Sequence, residues 1–257
     1  MNRLHQPKAS TSAPSPASQS FLVKGSAPRP FGRSGSQRRE QVDPHYALFA
    51  PLHYERGYAY PLLVWLHNEG GNERELRQLM PHVSVRNYVA AAPRGGLPTE
   101  RGSRSFAWEQ SAAGISDAAE RVRECVDVAQ QRFNVHAQRV FIAGHGAGGT
   151  MALRLALQFP EWFTAAASLG GRMPRGHMPL GRVKEARTMP LLLASCRESQ
   201  AYSPAQVSDD LRLLHAAGFS LSLRQYPGED DLTTVMLSDM DRWMMERVCP
   251  STAAVVR

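Results

Sequence analysis

The stretch Arg139–Pro160 reads RVFIAGHGAGGTMALRLALQFP and is the part of the chain that decides the fold. Its first residues, 139–143, form the short apolar run that is typical of a strand buried on both faces. Four glycines follow within residues 144–149, and a helical apolar pattern then runs from 148 to 159 until Pro160 ends it. The stretch therefore predicts a strand, a sharp turn and a helix in direct succession.

The same alternation of apolar strands and helices extends to both sides of this stretch. Further strands are predicted at 46–50, 61–67, 88–92, 164–169, 190–194 and 219–226, and helices at 73–80, 115–133, 204–217 and 232–248. Strands that alternate with helices favour a parallel sheet covered on both sides. The fold class predicted is a doubly wound, mostly parallel α/β sheet with helices on both faces, in one domain over residues 42–257. The helix at 73–80 is expected to turn its charges outward.

The first 41 residues differ in composition and are predicted to be a disordered, basic, Ser/Pro-rich tail. Residues 1–40 contain seven basic residues and one acidic residue, so they carry most of the net charge of +7. They have too few large apolar side chains to offset the entropy of ordering. Nucleic-acid binding by the domain is therefore not indicated, whereas the tail offers a surface for a protein partner.

Other features of the composition bear on the compartment of the protein. No apolar run approaches the length of a membrane span, and no signal peptide is recognisable at the N-terminus. The three cysteines are unpaired in pattern and are expected to be reduced thiols. These features predict a cytoplasmic protein without membrane association.

The turn at 144–148 has the form of a nucleophile elbow without its nucleophile. In the pattern G-x-S-x-G, the serine stands at the tip of a strand–turn–helix unit. Here the five positions are Gly144, His145, Gly146, Ala147 and Gly148. Over about residues 44–248 the chain resembles the phospholipase/carboxylesterases and polyhydroxybutyrate-depolymerase-like esterases. The resemblance implies an α/β-hydrolase fold and a pocket built for acyl-ester hydrolysis.

Four further stretches carry this resemblance: 67–73 (HNEGGNE), 92–95 (APRG), 107–108 (AW) and 226–228 (YPG). The resemblance implies that the first of them helps to build the oxyanion hole. It also implies that the catalytic acid follows the strand at 191–194, and that the catalytic histidine follows residues 226–228.

The three expected catalytic positions hold other residues. Gly146 stands at the nucleophile position, Ser199 at the acid position and Asp230 at the histidine position, while Glu198 remains an alternative for the acid. Loss of nucleophile and base together removes the relay that activates a serine. Glycine also relieves the backbone strain that an elbow imposes on a residue with a Cβ, which is on the order of 1–3 kcal/mol. We therefore expect no catalytic residue among these positions, a stable fold, and a vestigial triad.

The former active-site pocket is nevertheless expected to persist and to bind a small molecule or a partner. The candidate lining residues are His67, Asn68, Glu69, Gly70, Trp108, His145 and Ala147. The amide of Ala147 begins a helix, where unpaired N–H groups favour anions. Asn68 replaces the glycine that usually follows the histidine, and the carboxylate of Glu69 disfavours an oxyanion if it points inward.

The same residues permit other interpretations. Residues 144–149 also satisfy G-x-G-x-x-G, but the acidic residue expected about 20 positions later in a dinucleotide site is missing. The histidines match no metal-ligand spacing, so neither a metal nor a cofactor is predicted. Cys196, at a strand end, has no histidine near it in sequence and is interpreted as a buried thiol. Residues 172–187 are interpreted as a solvated, arginine-rich loop, with a lid over the pocket as the alternative.

Three functional hypotheses result. The first is an esterase-family protein that has lost catalysis and retains a ligand pocket. The second is a weak or rewired hydrolase in which His145 or His67, together with Asp230, activates water. The third is an interaction module whose tail docks on an acidic partner or nucleic acid while the domain serves as a scaffold; this binding weakens steeply with salt and is lost when residues 1–40 are deleted.

Overall fold

The computed structural model describes residues 45–100 and 102–249. The predicted disordered tail, residues 1–41, lies outside the described residues. In chain order the elements are β1 Tyr46–Phe49, β2 Tyr60–Leu66, α1 Glu75–Val83, β3 Val89–Pro93, β4 Leu97–Pro98, β5 Phe106–Ala107, α2 Ala112–Arg132, β6 Val135–His145, α3 Ala147–Gln158, a 3₁₀ turn Pro160–Trp162, β7 Ala165–Leu169, α4 Val183–Ala186, β8 Leu191–Cys196, α5 Pro204–Ala216, β9 Leu221–Tyr226 and α6 Thr234–Val248.

Seven of the strands form one sheet in the order β1-β3-β2-β6-β7-β8-β9. Only β1, at one edge, runs antiparallel to its neighbour β3, and the other pairs are parallel. The short strands β4 and β5 pair separately as a small hairpin. The prediction of a doubly wound, mostly parallel sheet is confirmed.

Helices cover both faces of this sheet, as its sequence pattern requires. Every residue of β2 is buried, because a central parallel strand is packed on both sides. Its alternate side chains enter two separate hydrophobic layers, Leu62 and Val64 joining the layer of α2 and α3, and Leu63 and Trp65 joining the layer of α1 and α6. Within the described ranges, no helix is long and apolar enough to cross a membrane.

Two local predictions are corrected by the structure. The helix expected from residue 73 begins at Glu75, and Glu73 is buried instead of facing outward. Two nitrogens of Arg94 donate to the two carboxylate oxygens of Glu73, each over 2.7 Å. Arg94 follows β3, so this buried ion pair joins segments that are 21 residues apart in the chain. Residues 172–187 are also not wholly a solvated loop, because they contain α4 and two buried anchoring contacts described below.

The topology brings six strand ends to one edge of the sheet. The adjacent strands β3, β2, β6, β7, β8 and β9 are parallel, so their carboxyl ends open on the same side. In open α/β sheets ligands bind in the crevice at this edge. The segments expected to carry the pocket, the acid and the histidine all follow these strands and therefore meet there.

Candidate active-site pocket

Gly146 occupies the tip of a sharp turn between β6 and α3. Its φ of 51° and ψ of −117° lie outside the conformations that residues with a Cβ adopt readily. The turn is fixed by the N–H of Gly146, which donates to the carbonyl of Leu169 at the end of β7 over 2.9 Å. The backbone of an elbow is thus retained although its central residue has no side chain.

The first turn of α3 passes very close to the end of β2. A Cβ on Gly148 would lie 2.2 Å from the carbonyl oxygen of Leu66 and 2.3 Å from that of His67. Backbone atoms of a central strand cannot move aside, so only glycine permits this approach. The approach brings the N-terminus of α3 against the segment that follows β2, where Asn68 begins the next loop.

The side chain of Asn68 occupies the space above Gly146. Its Oδ1 accepts hydrogen bonds from the N–H of Glu69 over 2.8 Å and from the N–H of Ala147 over 3.0 Å. These amides, one after β2 and one after the elbow residue, correspond to the donors of an oxyanion hole. A Cβ built on Gly146 would lie only 2.2 Å from the same Oδ1. Asn68 therefore engages both amides and occupies the space into which a side chain at position 146 would extend.

The two residues predicted to stand at the acid and histidine positions, Ser199 and Asp230, are in contact. The Ser199 hydroxyl donates a hydrogen bond to one carboxylate oxygen of Asp230. The other oxygen accepts from the N–H groups of Gln200 and Ala201, over 3.1 and 3.3 Å. The alternative acid, Glu198, instead accepts from the N–H of Gly228. Ser199 thus lies at the position that faces Asp230, and the pair ties the loop after β8 to the loop after β9.

The hydrogen bond to Ser199 is the main cause that holds the pKa of Asp230 below its usual range, and the two backbone N–H groups act in the same direction. A carboxyl whose pKa is depressed by folding stabilises the protein above its unfolded pKa, and that contribution disappears as the pH falls through the folded pKa.

We therefore expect Asp230→Asn to destabilise the protein by about 1 kcal/mol at pH 7. Hydrogen bonds to a charged group can contribute more than this, but Asp230 is exposed, and solvent weakens them. In thermal unfolding followed from pH 7 to pH 3, the difference from wild type should shrink toward the acid end. Asp231→Asn provides the matched control on an adjacent exposed carboxylate. An equal effect of both variants, or a difference independent of pH, would contradict this assignment.

His145 reaches Asp230 through the main chain and not through the carboxylate. Its Nε2 lies 3.0 Å from the carbonyl oxygen of Asp230, so Nε2 carries the proton and donates. Burial lowers the pKa of His145, which favours the neutral ring. The carboxylate of Asp230 is thus not the partner that orients this imidazole.

His67 is a structural residue beneath the pocket. Its Nε2 accepts from the N–H of Gly95 over 2.9 Å, and its Nδ1 donates to the carbonyl of Asn68 over 2.7 Å. The ring is fully buried, which lowers the pKa of His67. Both ring nitrogens are therefore engaged, and the neutral tautomer is fixed.

Trp108 supports the same segment from below. Its Nε1 donates to the carbonyl of His67 over 2.8 Å, and the two rings lie 5.0 Å apart. Gly70 has a φ of +78°, and its N–H donates to the carbonyl of Phe106 in β5. These residues shape the loop that carries Asn68, but they do not line the cavity above it.

The cavity over the elbow has a volume of about 480 Å³. Of the predicted lining residues, it brings together Asn68, Glu69, His145 and Ala147, with Gly146 and Asp230, two of the positions predicted to belong to a vestigial triad. Its remaining lining residues are Thr150, Gly170, Gly171, Arg172, Gln200, Ala201 and Gln206. Sequence reasoning did not find Thr150, Gln200 or Gln206, although Thr150 lies four residues after Gly146 and hence one turn into α3 on the same side.

The wall that carries Arg172 is anchored by two buried ionic side chains. Arg154, on α3, donates to the carbonyls of Arg175 and Gly176 over 2.6 and 3.0 Å. Asp210, on α5, accepts from the N–H of Met173 over 2.9 Å and from the guanidinium of Arg175 over 2.6 Å. The loop after β7 is therefore held from two helices, which fixes the position of this side of the cavity.

Other reactive groups do not add chemistry to the site. Burial raises the pKa of the Cys196 thiol, which disfavours the nucleophilic thiolate. All three cysteines are free thiols. In the part of the chain that the structure describes, no three His, Cys, Asp or Glu side chains are grouped to hold a metal ion.

Comparison with solved structures finds the same α/β-hydrolase fold in two carboxylesterases. The Bacillus cereus carboxylesterase aligns with a TM-score of 0.62 at 17% identity, covering 79% of this chain and 93% of that chain. A carboxylesterase from Mesorhizobium loti aligns with a TM-score of 0.64 at 20% identity, covering 78% and 93%. At these identities the likeness shows the shared fold.

Sequence comparison identifies the family. NocK of Nocardia uniformis subsp. tsuyamanensis, which is named as an esterase, is 29% identical over 202 residues, or 73% of this chain. The aligned part spans only 56% of the length of NocK. Residues 101–242, which include the elbow and the acid and histidine positions, match the phospholipase/carboxylesterase family model. The chain therefore belongs to the phospholipase/carboxylesterase family of α/β-hydrolases.

Proposed function

We propose that this chain is a phospholipase/carboxylesterase family member that has lost acyl transfer and binds a small polar ligand in the cavity over the elbow. The observation that carries the proposal is the state of Gly146, which has no nucleophilic atom and whose side-chain space is taken by Asn68. An acyl-transfer site requires a nucleophile at this tip and free donors beside it. Gly146 provides no nucleophile, and Asn68 already accepts from the two N–H donors beside it.

The proton relay is also missing. The carboxylate of Asp230 stands where the base belongs and already accepts three hydrogen bonds, from Ser199, Gln200 and Ala201. A carboxylate with a depressed pKa is a poor proton acceptor at neutral pH. Restoring a nucleophile alone would therefore leave it without a base.

The walls of the cavity favour a hydrophilic ligand over a long acyl chain. Thr150, Arg172, Gln200 and Gln206 supply hydrogen-bonding groups, and the apolar lining consists of small residues such as Ala147. Ligand sites that accept alkyl chains are lined mainly by large apolar side chains. A small molecule with several polar groups matches this lining better.

One observation favours a second candidate, a rewired hydrolase that activates water. His145 does meet Asp230 at 3.0 Å, and the two residues lie on the same cavity. However, Nε2 of His145 donates its proton to the carbonyl oxygen of Asp230 and not to the carboxylate. Only Nδ1 is therefore left to act as a base. This candidate requires a water held by Nδ1 and a second group of the cavity.

Hydrolysis of p-nitrophenyl acetate and p-nitrophenyl butyrate by the purified full chain separates the two candidates. For a non-catalytic protein we expect no rate above buffer for wild type or His145→Ala. His215→Ala, on the exposed last turn of α5, is the matched control. A wild-type rate that persists in His215→Ala and falls at least tenfold in His145→Ala would replace our proposal with the rewired hydrolase.

Ligand binding is tested separately by thermal unfolding in the presence of small sugars, hydroxy acids and amino acids. A compound present at 100 times its Kd should stabilise the folded state by about 2.7 kcal/mol. Thr150→Val and Gln206→Leu preserve volume but remove polar groups from the cavity, so they should abolish the shift. If the shift survives both changes, the compound binds elsewhere.

A further inference from the structure

Two backbone N–H groups from different segments of the chain donate to one oxygen at the elbow. The amide of Glu69 follows β2, and the amide of Ala147 opens α3, yet both donate to Oδ1 of Asn68. Two converging N–H groups at a helix N-terminus form a site for a single anionic oxygen. The oxygen found there belongs to the protein itself and carries only the partial charge of an amide carbonyl.

The position of the Asn68 side chain depends on the residue at position 146. The Asn68 carboxamide lies so close to Gly146 that an added Cβ would fall 2.2 Å from Oδ1 and 2.7 Å from Cγ. Any residue with a side chain at position 146 would therefore displace Asn68, and Asn68 in its present position requires glycine there. Asn68 and Gly146 are therefore structurally coupled.

We propose that Asn68 is an internal plug that keeps a two-amide carboxylate site closed. When the carboxamide is absent or rotated outward, the N–H groups of Glu69 and Ala147 become free to bind one oxygen of a small carboxylate. Arg172, on the wall of the same cavity, provides a positive charge that attracts an anion, whereas the negative charges of Glu69 and Asp230 oppose an anion that carries more than one charge. The wild-type cavity therefore takes its ligand without the two donors that its family uses for catalysis.

The test is a titration of the ¹⁵N-labelled full chain with sodium acetate, followed at the amide signals of Glu69 and Ala147, with sodium chloride at equal ionic strength as the reference. In Asn68→Gly these two signals should shift saturably with a Kd on the order of 1 mM. In wild type they should not shift. Asn68→Asp, whose own carboxylate refills the site, is the matched control and should also show no saturable shift.

Two outcomes would overturn the proposal. One is acetate binding at both amides in wild type with the same Kd as in Asn68→Gly, which would show that Asn68 does not close the site. The other is a folded Asn68→Gly protein in which neither amide responds to acetate.

Hydrogen exchange in the absence of acetate provides a second readout that does not need the glycine variant. In Asn68→Ala the amides of Glu69 and Ala147 should exchange roughly tenfold faster than in wild type, because they lose their acceptor. The amide of Thr150 donates to the carbonyl of Gly146 over 3.0 Å and should keep its protection. Unchanged exchange at Glu69 and Ala147 would contradict the plug even if the glycine variant failed to fold.

Discussion

Gly146→Ser is expected to destabilise the protein by about 3–5 kcal/mol and not to restore ester hydrolysis. A residue with a Cβ at φ 51° and ψ −117° carries strain of about 1–3 kcal/mol. The new Cβ would also displace Asn68, whose two hydrogen bonds contribute about 1 kcal/mol each. In differential scanning calorimetry, the melting temperature should fall by roughly 10 °C for a domain of this size.

The control separates strain from steric displacement. Gly102 has a φ of +78°, and an added Cβ would have no atom of the described residues within 4 Å apart from its own chain neighbours, so Gly102→Ser should show only the cost of the backbone conformation. The double variant Asn68→Gly/Gly146→Ser should be more stable than the sum of the single variants by about 1–3 kcal/mol, since the clash is absent from it. Equal destabilisation by Gly102→Ser and Gly146→Ser, with additive effects in the double variant, would show that Asn68 does not resist a side chain at the elbow.

We expect Gly146→Ser not to hydrolyse esters because the residues around position 146 do not support a nucleophilic serine. A serine at 146 would find the carboxylate of Asp230, already held by Ser199, at the position of the base. Displacement of Asn68 would free the N–H groups of Glu69 and Ala147, but no side chain at the position of the base would take the proton of the serine hydroxyl. An elbow serine without a base lacks the proton transfer that activates the nucleophile.

The fold could be predicted from the sequence because its determinants are local. The apolar run at 61–67 and the strand–turn–helix at 139–160 each carry their own periodicity, and the structure places β2, β6 and α3 within these limits or a few residues from them. The meeting of Ser199 with Asp230 was also accessible, because the carboxyl ends of parallel strands share one edge.

The details that decide chemistry depended on contacts between distant residues. Asn68 and Ala147 are 79 positions apart, and no periodicity indicates which way an asparagine side chain will turn. Glu73 has the pattern of an exposed helical residue, but Arg94 draws it into a buried pair. Such pairings become visible only once the strand order is known.

The contacts of Arg154 also could not be predicted from the sequence, and its substitution is expected to have the second large effect on stability. It sits in the apolar helix α3, where sequence reasoning assigned it no role, and it is only 2% exposed. Burial lowers the pKa of Arg154, yet a guanidinium stays charged in proteins. Its Nε donates to Oε1 of Gln110 over 2.8 Å, and its two terminal nitrogens donate to the carbonyls of Arg175 and Gly176.

We expect Arg154→Met to destabilise the protein by about 3 kcal/mol. Three hydrogen bonds from a charged donor are lost, at about 1.5–3 kcal/mol each, and the relief of burying a charge offsets part of this loss. Arg154→Lys should recover little of the difference, because one ammonium cannot reproduce a planar fork that spans three separate acceptors. Urea unfolding measures both variants, and a Met variant as stable as wild type would mean that the three bonds do no more than offset the desolvation of the cation.

The change should also reach the cavity, because the carbonyls that Arg154 holds lie in the loop that carries Arg172. Hydrogen exchange of residues 175–177 should accelerate in Arg154→Met, while the amides of β6 and β7 keep their protection. The remaining anchor, Asp210, still binds the N–H of Met173 and should limit the loosening to the distal part of the loop. If the exchange of Met173 and that of residues 175–177 accelerate equally, the two anchors act as one unit, and Arg154 positions the entire wall of the pocket.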